Sequence, residues 1–246
     1  MRRIALALLL VASPAVAGEN LVSGLSQDTI EIRSTYNGTD IVVFGAVERP
    51  QSDIRPDIVV VVRGPETDMR VRRKDRVAGI WINRNREILR GMPGYYFAAA
   101  NRPFENIAAA TVLRQYALGL AALKPRGAEG GHDPRPFVQA VIRSQEKAKL
   151  YAEKADGVEF LSGTLFRARV PLPASAPRGD YIAEVYLLRG GQIIDARSSK
   201  LSIAQTGMER RVFDFSRDDP FAYGLSTVLM AMLLGWLSSL AFRRME

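Results

Sequence analysis

Few residues in this sequence combine the side-chain types and the spacing that covalent catalysis requires. The best match is Ser144 with Lys147, an S-x-x-K pattern in which a lysine one helical turn away can activate a serine as a nucleophile. The S-D-N and K-T-G motifs that accompany this pattern in penicillin-recognising enzymes have no counterpart here. We interpret both residues as the solvated face of a charged helix and predict no catalytic residue.

Metal chemistry finds equally little support. His132 is the single histidine and stands beside Asp133, but one imidazole with one carboxylate cannot complete a tetrahedral site. Asp133 is instead expected to cap a helix. The absence of cysteine excludes thiolate ligands, and Met69, Met92 and Met208 are too far apart in sequence to predict a copper site. We predict no metal-binding residue, no cofactor-binding residue and no cofactor.

The densest charge cluster is basic and places five positive side chains within seven residues. Its members are Arg70, Arg72, Arg73, Lys74 and Arg76. Such a cluster suits contact with anionic lipid or with an acidic partner loop. The alternative is a solvated hairpin tip, because most charge runs are exposed surface.

The composition indicates a folded chain with a modest basic excess. Of 246 residues, 47% are hydrophobic and 24% are charged, which allows one large or two small domains. Lys and Arg number 34 against 26 Asp and Glu. This excess favours an acidic partner or lipid surface, and it does not predict a nucleic-acid partner.

The N-terminus has the pattern of a secretory signal. Arg2 and Arg3 precede an apolar run over residues 4–12, and Ala15-Val16-Ala17 forms an A-x-A cleavage site. We predict a signal peptide over residues 1–17. An uncleaved N-terminal anchor is the alternative, although the apolar run is much shorter than a membrane span requires.

The C-terminus predicts a transmembrane helix. Residues 221–242 contain no charge, and a helix of that length reaches about 33 Å, enough to cross a hydrocarbon core. Arg243 and Arg244 follow it, while Asp218 and Asp219 precede it, so the basic flank marks the cytoplasmic end. The sequence thus predicts a type I single-pass protein of the bacterial inner membrane. Its periplasmic domain covers residues 18–219 and its cytoplasmic tail covers residues 243–246.

Small residues recur at every fourth position of this helix, at Thr227, Ala231, Gly235 and Ser239. They predict a stripe along which a second helix could approach closely. Chance is the alternative, because small residues are common in membrane helices.

Hydrophobic periodicity predicts strands, then two helices, then strands. Residues 29–33 and 40–47 are predicted to form a hairpin around Asn37-Gly38. The further predicted strands are 57–63, 69–72, 79–83, 95–99, 164–170, 181–188 and 192–203, with Gly190-Gly191 at the last hairpin. The predicted helices run from Pro103 to Leu123 and from Pro134 to Gly157.

This order predicts a mainly β fold with some α: an Ig-like β-sandwich with a helical hairpin inserted at about 103–156, plus the C-terminal transmembrane helix. Two separate subdomains remain an alternative to the insertion.

Several short segments together resemble a family of alphaproteobacterial transmembrane proteins whose molecular function is uncharacterised. They are residues 81–83, Pro93 with Tyr95-Tyr96, residues 101–104, 163–168, 172–173 and 179–181, Gly207, residues 223–225 and Gly235-Trp236. The resemblance covers nearly the whole chain after the predicted signal peptide. It implies a periplasmic domain on one membrane helix and suggests association with permeases of the sulfite-exporter type.

These features predict a membrane-anchored periplasmic accessory or interaction protein rather than an enzyme. Its expected partner is an integral membrane protein such as a permease, or a second copy of the chain, with anionic lipid as a further contact. The alternative is a periplasmic hydrolase of unknown substrate.

Overall fold

A computed structural model describes residues 20–32, 37–48, 55–77, 79–205 and 215–243 of the protein. The predicted signal peptide at 1–17, Met208 and residues 244–246 of the predicted tail lie outside these ranges. The described strands are β1 (Asn20–Leu25), β2 (Thr29–Ile32), β3 (Gly38–Glu48), β4 (Asp57–Arg63), β5 (Glu66–Val77), β6 (Ile80–Pro93), β7 (Tyr96–Ala100), β8 (Gly127–Glu129), β9 (Tyr151–Lys154), β10 (Val158–Phe160), β11 (Leu165–Pro173), β12 (Gly179–Arg189) and β13 (Gln192–Gln205).

The helices are short except for the last. They are α1 (Phe104–Ile107), α2 (Ala110–Tyr116), a 3-10 turn (Leu120–Ala122), α3 (Arg135–Lys147) and the C-terminal helix (Pro220–Arg243), which a helical turn at 215–218 precedes.

The strands form three sheets. The first sheet has the order β1-β3-β11-β10, the second has the order β2-β13-β12-β4-β7-β9, and the third is β5-β6-β8. All pairings in the first and third sheets are antiparallel, whereas β2 runs parallel to β13 and β9 runs parallel to β7.

The first and second sheets pack face to face as a sandwich. Alternate residues of β3 point inward, including Ile41 and Val43, and they join Val170 of β11 in one core. The second sheet contributes Val60 and Val185 from the facing side. This arrangement confirms the predicted β-sandwich.

Strand β4 is buried on both faces, as its valine run predicts. Val60 points into the sandwich core, whereas Val59 and Val61 belong to a second core on the opposite face of the same sheet. That second core is closed by Phe137 of α3 and by Leu89 of β6. The inserted helices and the third sheet therefore form an outer layer over the second sheet.

The predicted hairpin between residues 29–33 and 40–47 is wrong, because these strands lie in different sheets. Strand β3 pairs antiparallel with β1, and β2 pairs with β13. Pairing with β3 ends at Ser26, whose N–H donates to the carbonyl of Val42 (2.9 Å). Gly38 has a φ of +103°, and a Cβ there would lie 2.9 Å from the Leu172 carbonyl oxygen, so the close approach of β3 to β11 favours glycine at this position.

The inserted region contains helices, as predicted, but the first is divided. Ala108 is extended, and Ala117 is left-handed at φ +50°, so the stretch from Pro103 to Leu123 consists of α1, α2 and the 3-10 turn. The second helix ends at Lys147, and Tyr151 already belongs to β9. The insertion thus adds β8 to the third sheet and β9 to the second.

The other strand predictions fit well. Strands β11, β12 and β13 cover the predicted segments, and Gly190 and Gly191 adopt positive φ at the last hairpin. Residues 69–72 and 79–83 belong to one long hairpin, β5–β6, rather than to separate short strands.

The C-terminal helix is long and apolar enough to cross a membrane, with the strongest window at Pro220–Ser238. Its described side chains over this window are not buried against the rest of the chain. Within the part of the chain that the structure describes, it is the one candidate span, and its position agrees with the predicted transmembrane helix.

Candidate functional site

Ser144 and Lys147 are both exposed on α3. Ser144 lines a shallow groove of about 380 Å³ between α3 and β5, where the neighbouring Gln145 donates to the sulfur of Met69 at 3.7 Å. The arrangement agrees with the interpretation of these residues as helix surface.

The side chains of His132 and Asp133 contact different parts of the structure. The Asp133 carboxylate accepts the N–H of Arg135, the first residue of α3, at 3.0 Å, and Arg135 lowers the pKa of Asp133 through a side-chain hydrogen bond. His132 turns the other way, and its Nδ1 lies 3.4 Å from Oε2 of Glu87.

Glu87 is a buried acid that the sequence analysis missed. Its side chain is only 1% exposed, on the face of β6 that also carries the core residue Leu89. Gly130 passes directly over it, so that a Cβ at Gly130 would overlap the carboxylate and the Arg86 carbonyl. The i, i+2 spacing places Glu87 on the same face of the strand as Leu89, and this was the sequence signal that Glu87 could be buried. Only the pairing of β5, β6 and β8 shows that this face of β6 is covered.

The basic cluster lies along β5 and reaches the turn of the β5–β6 hairpin, where Nε of Arg76 donates to the Gly79 carbonyl at 3.4 Å. Arg70, Arg72, Lys74 and Arg76 occupy alternate positions and are exposed. Across the hairpin, Arg72 is directly opposite Arg86, which adds a further positive charge. The acidic residues at the base of the hairpin, Asp68 and Glu129, both bind Arg90.

The tip of this hairpin carries exposed isoleucines that the sequence analysis did not single out. The turn contains Gly79 at φ +84°, and Ile80 and Ile82 are 68% and 43% exposed. Isoleucine is typical of a strand, but it does not indicate whether the side chain is buried. Ile80 and Ile82 are exposed because the hairpin extends beyond the second core.

A second apolar surface lies on the outer face of the first sheet. Val22, Ala46 and Leu165 form one row across β1, β3 and β11, and Phe44 stands in the next row. Val22, Phe44 and Leu165 are all exposed. The Phe44 ring covers Gly24, where a Cβ would lie 3.2 Å from its Cζ. We call Val22, Phe44, Ala46 and Leu165 the outer patch.

A cleft of about 640 Å³ opens where β3 begins and β11 ends. Its lining includes Asp40, Glu146 and Lys149, whose side chains are exposed, and the buried Tyr151, whose hydroxyl donates to the Pro93 carbonyl at 2.6 Å. The cleft thus brings two solvated carboxylates, Asp40 and Glu146, to one open site.

The buried Tyr96 has a structural role. Burial raises the pKa of Tyr96, whose hydroxyl donates to the Ala117 carbonyl (2.7 Å) and accepts the N–H of Gly119 (2.8 Å). Arg63 donates to the Tyr116 carbonyl at 2.7 Å and pairs with Glu184. These bonds fix the end of α2 over the second sheet.

The predicted helix-packing stripe is exposed where it is described. Thr227, Ala231 and Gly235 are exposed, as are most of the described side chains of this helix, and the side chain of Ser239 lies outside the described part. The Thr227 hydroxyl donates to the Gly224 carbonyl at 2.8 Å, which satisfies it within the helix.

In a comparison with protein families, the chain matches the alphaproteobacterial family described as Putative transmembrane protein (Alph_Pro_TM) over residues 20–244. The chain belongs to this family. No curated protein matches the chain, and no solved structure does. The function of the Alph_Pro_TM family is uncharacterised, so membership confirms the resemblance without supplying an activity.

The family match extends from β1 to the end of the C-terminal helix. The sheets, the inserted region and the apolar helix are therefore parts of a single family unit. Together with the helix, the match supports membrane association through one C-terminal span.

Proposed function

We propose that this member of the Alph_Pro_TM family is a membrane-anchored accessory protein of the bacterial inner membrane. Its sandwich domain lies in the periplasm and binds a multi-pass membrane protein such as a permease. The observation that carries the proposal is the outer patch, because it is an apolar surface on the side of the first sheet that faces away from the core.

The arrangement of apolar and charged residues in the outer patch is typical of a protein interface. The solvent face of an antiparallel sheet is normally polar, whereas here Val22, Phe44 and Leu165 are neighbours across three strands. Charged residues border them on β10 and β11, where Arg167 binds Glu159 at 2.9 Å. An apolar centre with a polar rim is typical of specific protein contacts.

The orientation rests on the two ends of the sequence. The N-terminal residues have a signal-peptide pattern, and Arg243 and Arg244 follow the apolar helix. A reporter active only in the periplasm should work when fused before Asp219, and a cytoplasmic reporter should work after Glu246. The reverse result would contradict the type I arrangement.

The partner is tested by affinity purification from native membranes in mild detergent. We expect one multi-pass protein to co-purify with the wild type and to be lost with Phe44→Lys, which places a charge within the outer patch. Ile182→Lys is the matched control, because Phe44 and Ile182 are both 44% exposed and Ile182 lies on the second sheet. Co-purification of the partner with Phe44→Lys at the same level as with the wild type and with Ile182→Lys would show that the outer patch is not the interface.

The cleft favours a second candidate function, that of a periplasmic hydrolase. Its volume of about 640 Å³ is in the range of small-molecule sites, and Asp40 and Glu146 provide carboxylates. The purified chain should then hydrolyse a substrate from an ester, amide, glycoside and phosphoester panel, and Asp40→Asn or Glu146→Gln should abolish that turnover. A panel without turnover would leave only the accessory function.

A further inference from the structure

We propose that the outer part of the β5–β6 hairpin is a membrane-contact arm. Its basic strand would bind anionic lipid head groups, and its isoleucine tip would enter the interface of the bilayer. We call residues 70–77 and 79–86 the hairpin arm. The proposal concerns a different surface from the outer patch and does not depend on a protein partner.

The hairpin arm extends beyond the second core. At its base, Val71 and Met69 pack against that core and Leu89 is fully buried. Further out, between residues 72 and 86, the described side chains are exposed, with the exception of the half-buried Asn85. Six residues of β5 from Arg72 to Val77 span about 20 Å, so the arm has the length to contact a surface that the sandwich does not reach.

The charge of the arm is unbalanced. Arg72 faces Arg86 directly across the hairpin. Arg70 precedes Arg72 on the same strand, and Lys74 and Arg76 follow it. Asp75 is the one acidic residue in the sequence of the arm. Like charges opposite each other destabilise a strand pair unless an anion lies between them and neutralises them. An anionic lipid surface supplies such charges, and each basic side chain near it raises the binding constant about fivefold.

The tip adds the apolar component that a purely electrostatic surface lacks. Ile80 and Ile82 are large aliphatic side chains left in water at the end of a charged hairpin. Burying aliphatic side chains at the boundary between head groups and acyl chains is favourable, and basic residues beside them strengthen the attachment to anionic membranes.

The C-terminal helix keeps the arm near a bilayer. Gln205 at the end of β13 and Pro220 at the start of the helix are fifteen positions apart, so their connection spans at most about 50 Å even when fully extended. The domain therefore stays at high effective concentration near the lipid surface, and even a weak individual contact would be occupied.

The test uses the full chain in vesicles with an environment-sensitive fluorophore on a single cysteine. The chain contains no cysteine, so Ile80→Cys gives one labelled site at the tip, and Ile194→Cys, another exposed isoleucine, gives a control site on β13. The vesicles are phosphatidylcholine alone or phosphatidylcholine with phosphatidylglycerol, each with and without a lipid-borne quencher, at a low protein-to-lipid ratio.

We expect a blue shift and strong quenching at the Ile80 site in the phosphatidylglycerol vesicles, and several-fold weaker quenching at the Ile194 site. Arg72→Glu with Arg76→Glu should abolish the difference, as should high salt, because both remove the attraction to anionic lipid. Arg143→Glu with Lys147→Glu makes the same change in net charge on α3 and should preserve it.

Equal quenching at the two sites in phosphatidylglycerol vesicles would overturn the proposal. So would protection of the Ile80 site in native membranes but not in these vesicles, because that result identifies an acidic protein as the ligand of the arm.

Discussion

Asp57 and Arg102 form a two-point ion pair in which Nε and one terminal nitrogen of the guanidinium each donate to a different carboxylate oxygen at 2.5 Å. Asp57 is nearly buried at the start of β4, and Arg102 lies in the connection between β7 and α1. This hydrogen bonding raises the pKa of Arg102. The pair fastens the beginning of the inserted region to the second sheet.

We expect Arg102→Ala to lower the free energy of unfolding by about 1–3 kcal/mol, because it leaves the Asp57 carboxylate buried without its guanidinium partner. Denaturant unfolding of the full chain in detergent measures the change. The double variant Asp57→Asn with Arg102→Ala removes the buried charge and should recover part of the loss. Unfolding of Arg102→Ala at the wild-type denaturant concentration would contradict this account.

Gly130 tests the covered site of Glu87. A methyl group at Gly130 would overlap the Glu87 carboxylate and the Arg86 carbonyl, so Gly130→Ala should displace the loop that carries His132. We expect a loss of about 1–3 kcal/mol in the free energy of unfolding, as is typical when atoms are forced into a packed site. Gly163→Ala is the control, because a Cβ there has open space and no positive φ is required. Similar stabilities for the two variants would disprove the close packing at Gly130.

The sequence predicted elements whose stability is local and missed pairings that depend on distant strands. The valine run of β4 and the Gly190-Gly191 hairpin follow from composition and turn geometry alone. The pairing of β2 with β13 joins residues more than 170 positions apart, and no periodicity in either strand specifies it. The division of the first helix follows from contacts of the α2 end with Tyr96 and Arg63, which helical spacing does not reveal.

The candidate surfaces were also only partly predictable from the sequence. The basic side chains of β5 were visible as a charge cluster, but the exposure of Ile80 and of the outer patch depends on which strand faces are covered. An exposed isoleucine and a core isoleucine have the same pattern in a strand, so only the assembled sheets distinguish them.

Glu129 and Arg90 give a pH-dependent prediction. The hydrogen bond from Arg90 holds the pKa of Glu129 below its usual range. Because the folded-state pKa is lowered, the stabilisation by this pair is complete above the ordinary carboxylate pKa and is lost as the pH falls through the folded value. NMR titration of the Glu129 carboxyl should show this low pKa in the wild type and a rise towards the ordinary value in Arg90→Gln.

Asp133 is the internal control for that titration. Its pKa is also lowered, but by Arg135 on another element, so Arg90→Gln should leave it unchanged. A Glu129 carboxyl that titrates identically in both proteins would show that the ion pair does not persist in solution.

Gly235 tests whether the C-terminal helix contacts another helix. A Cβ at Gly235 meets nothing within 4 Å among the residues that the structure describes, so we attribute an effect of Gly235→Leu on association to contact with a second molecule. Leucine would push a neighbouring backbone away from the stripe formed with Thr227 and Ala231 and weaken close packing.

We expect Gly235→Leu to reduce co-purification of a membrane partner, or self-association, while Leu234→Ala does not. Both variants should still insert, because each keeps the helix apolar and of the same length. Equal recovery of the partner with wild type and Gly235→Leu would leave the helix as an anchor alone.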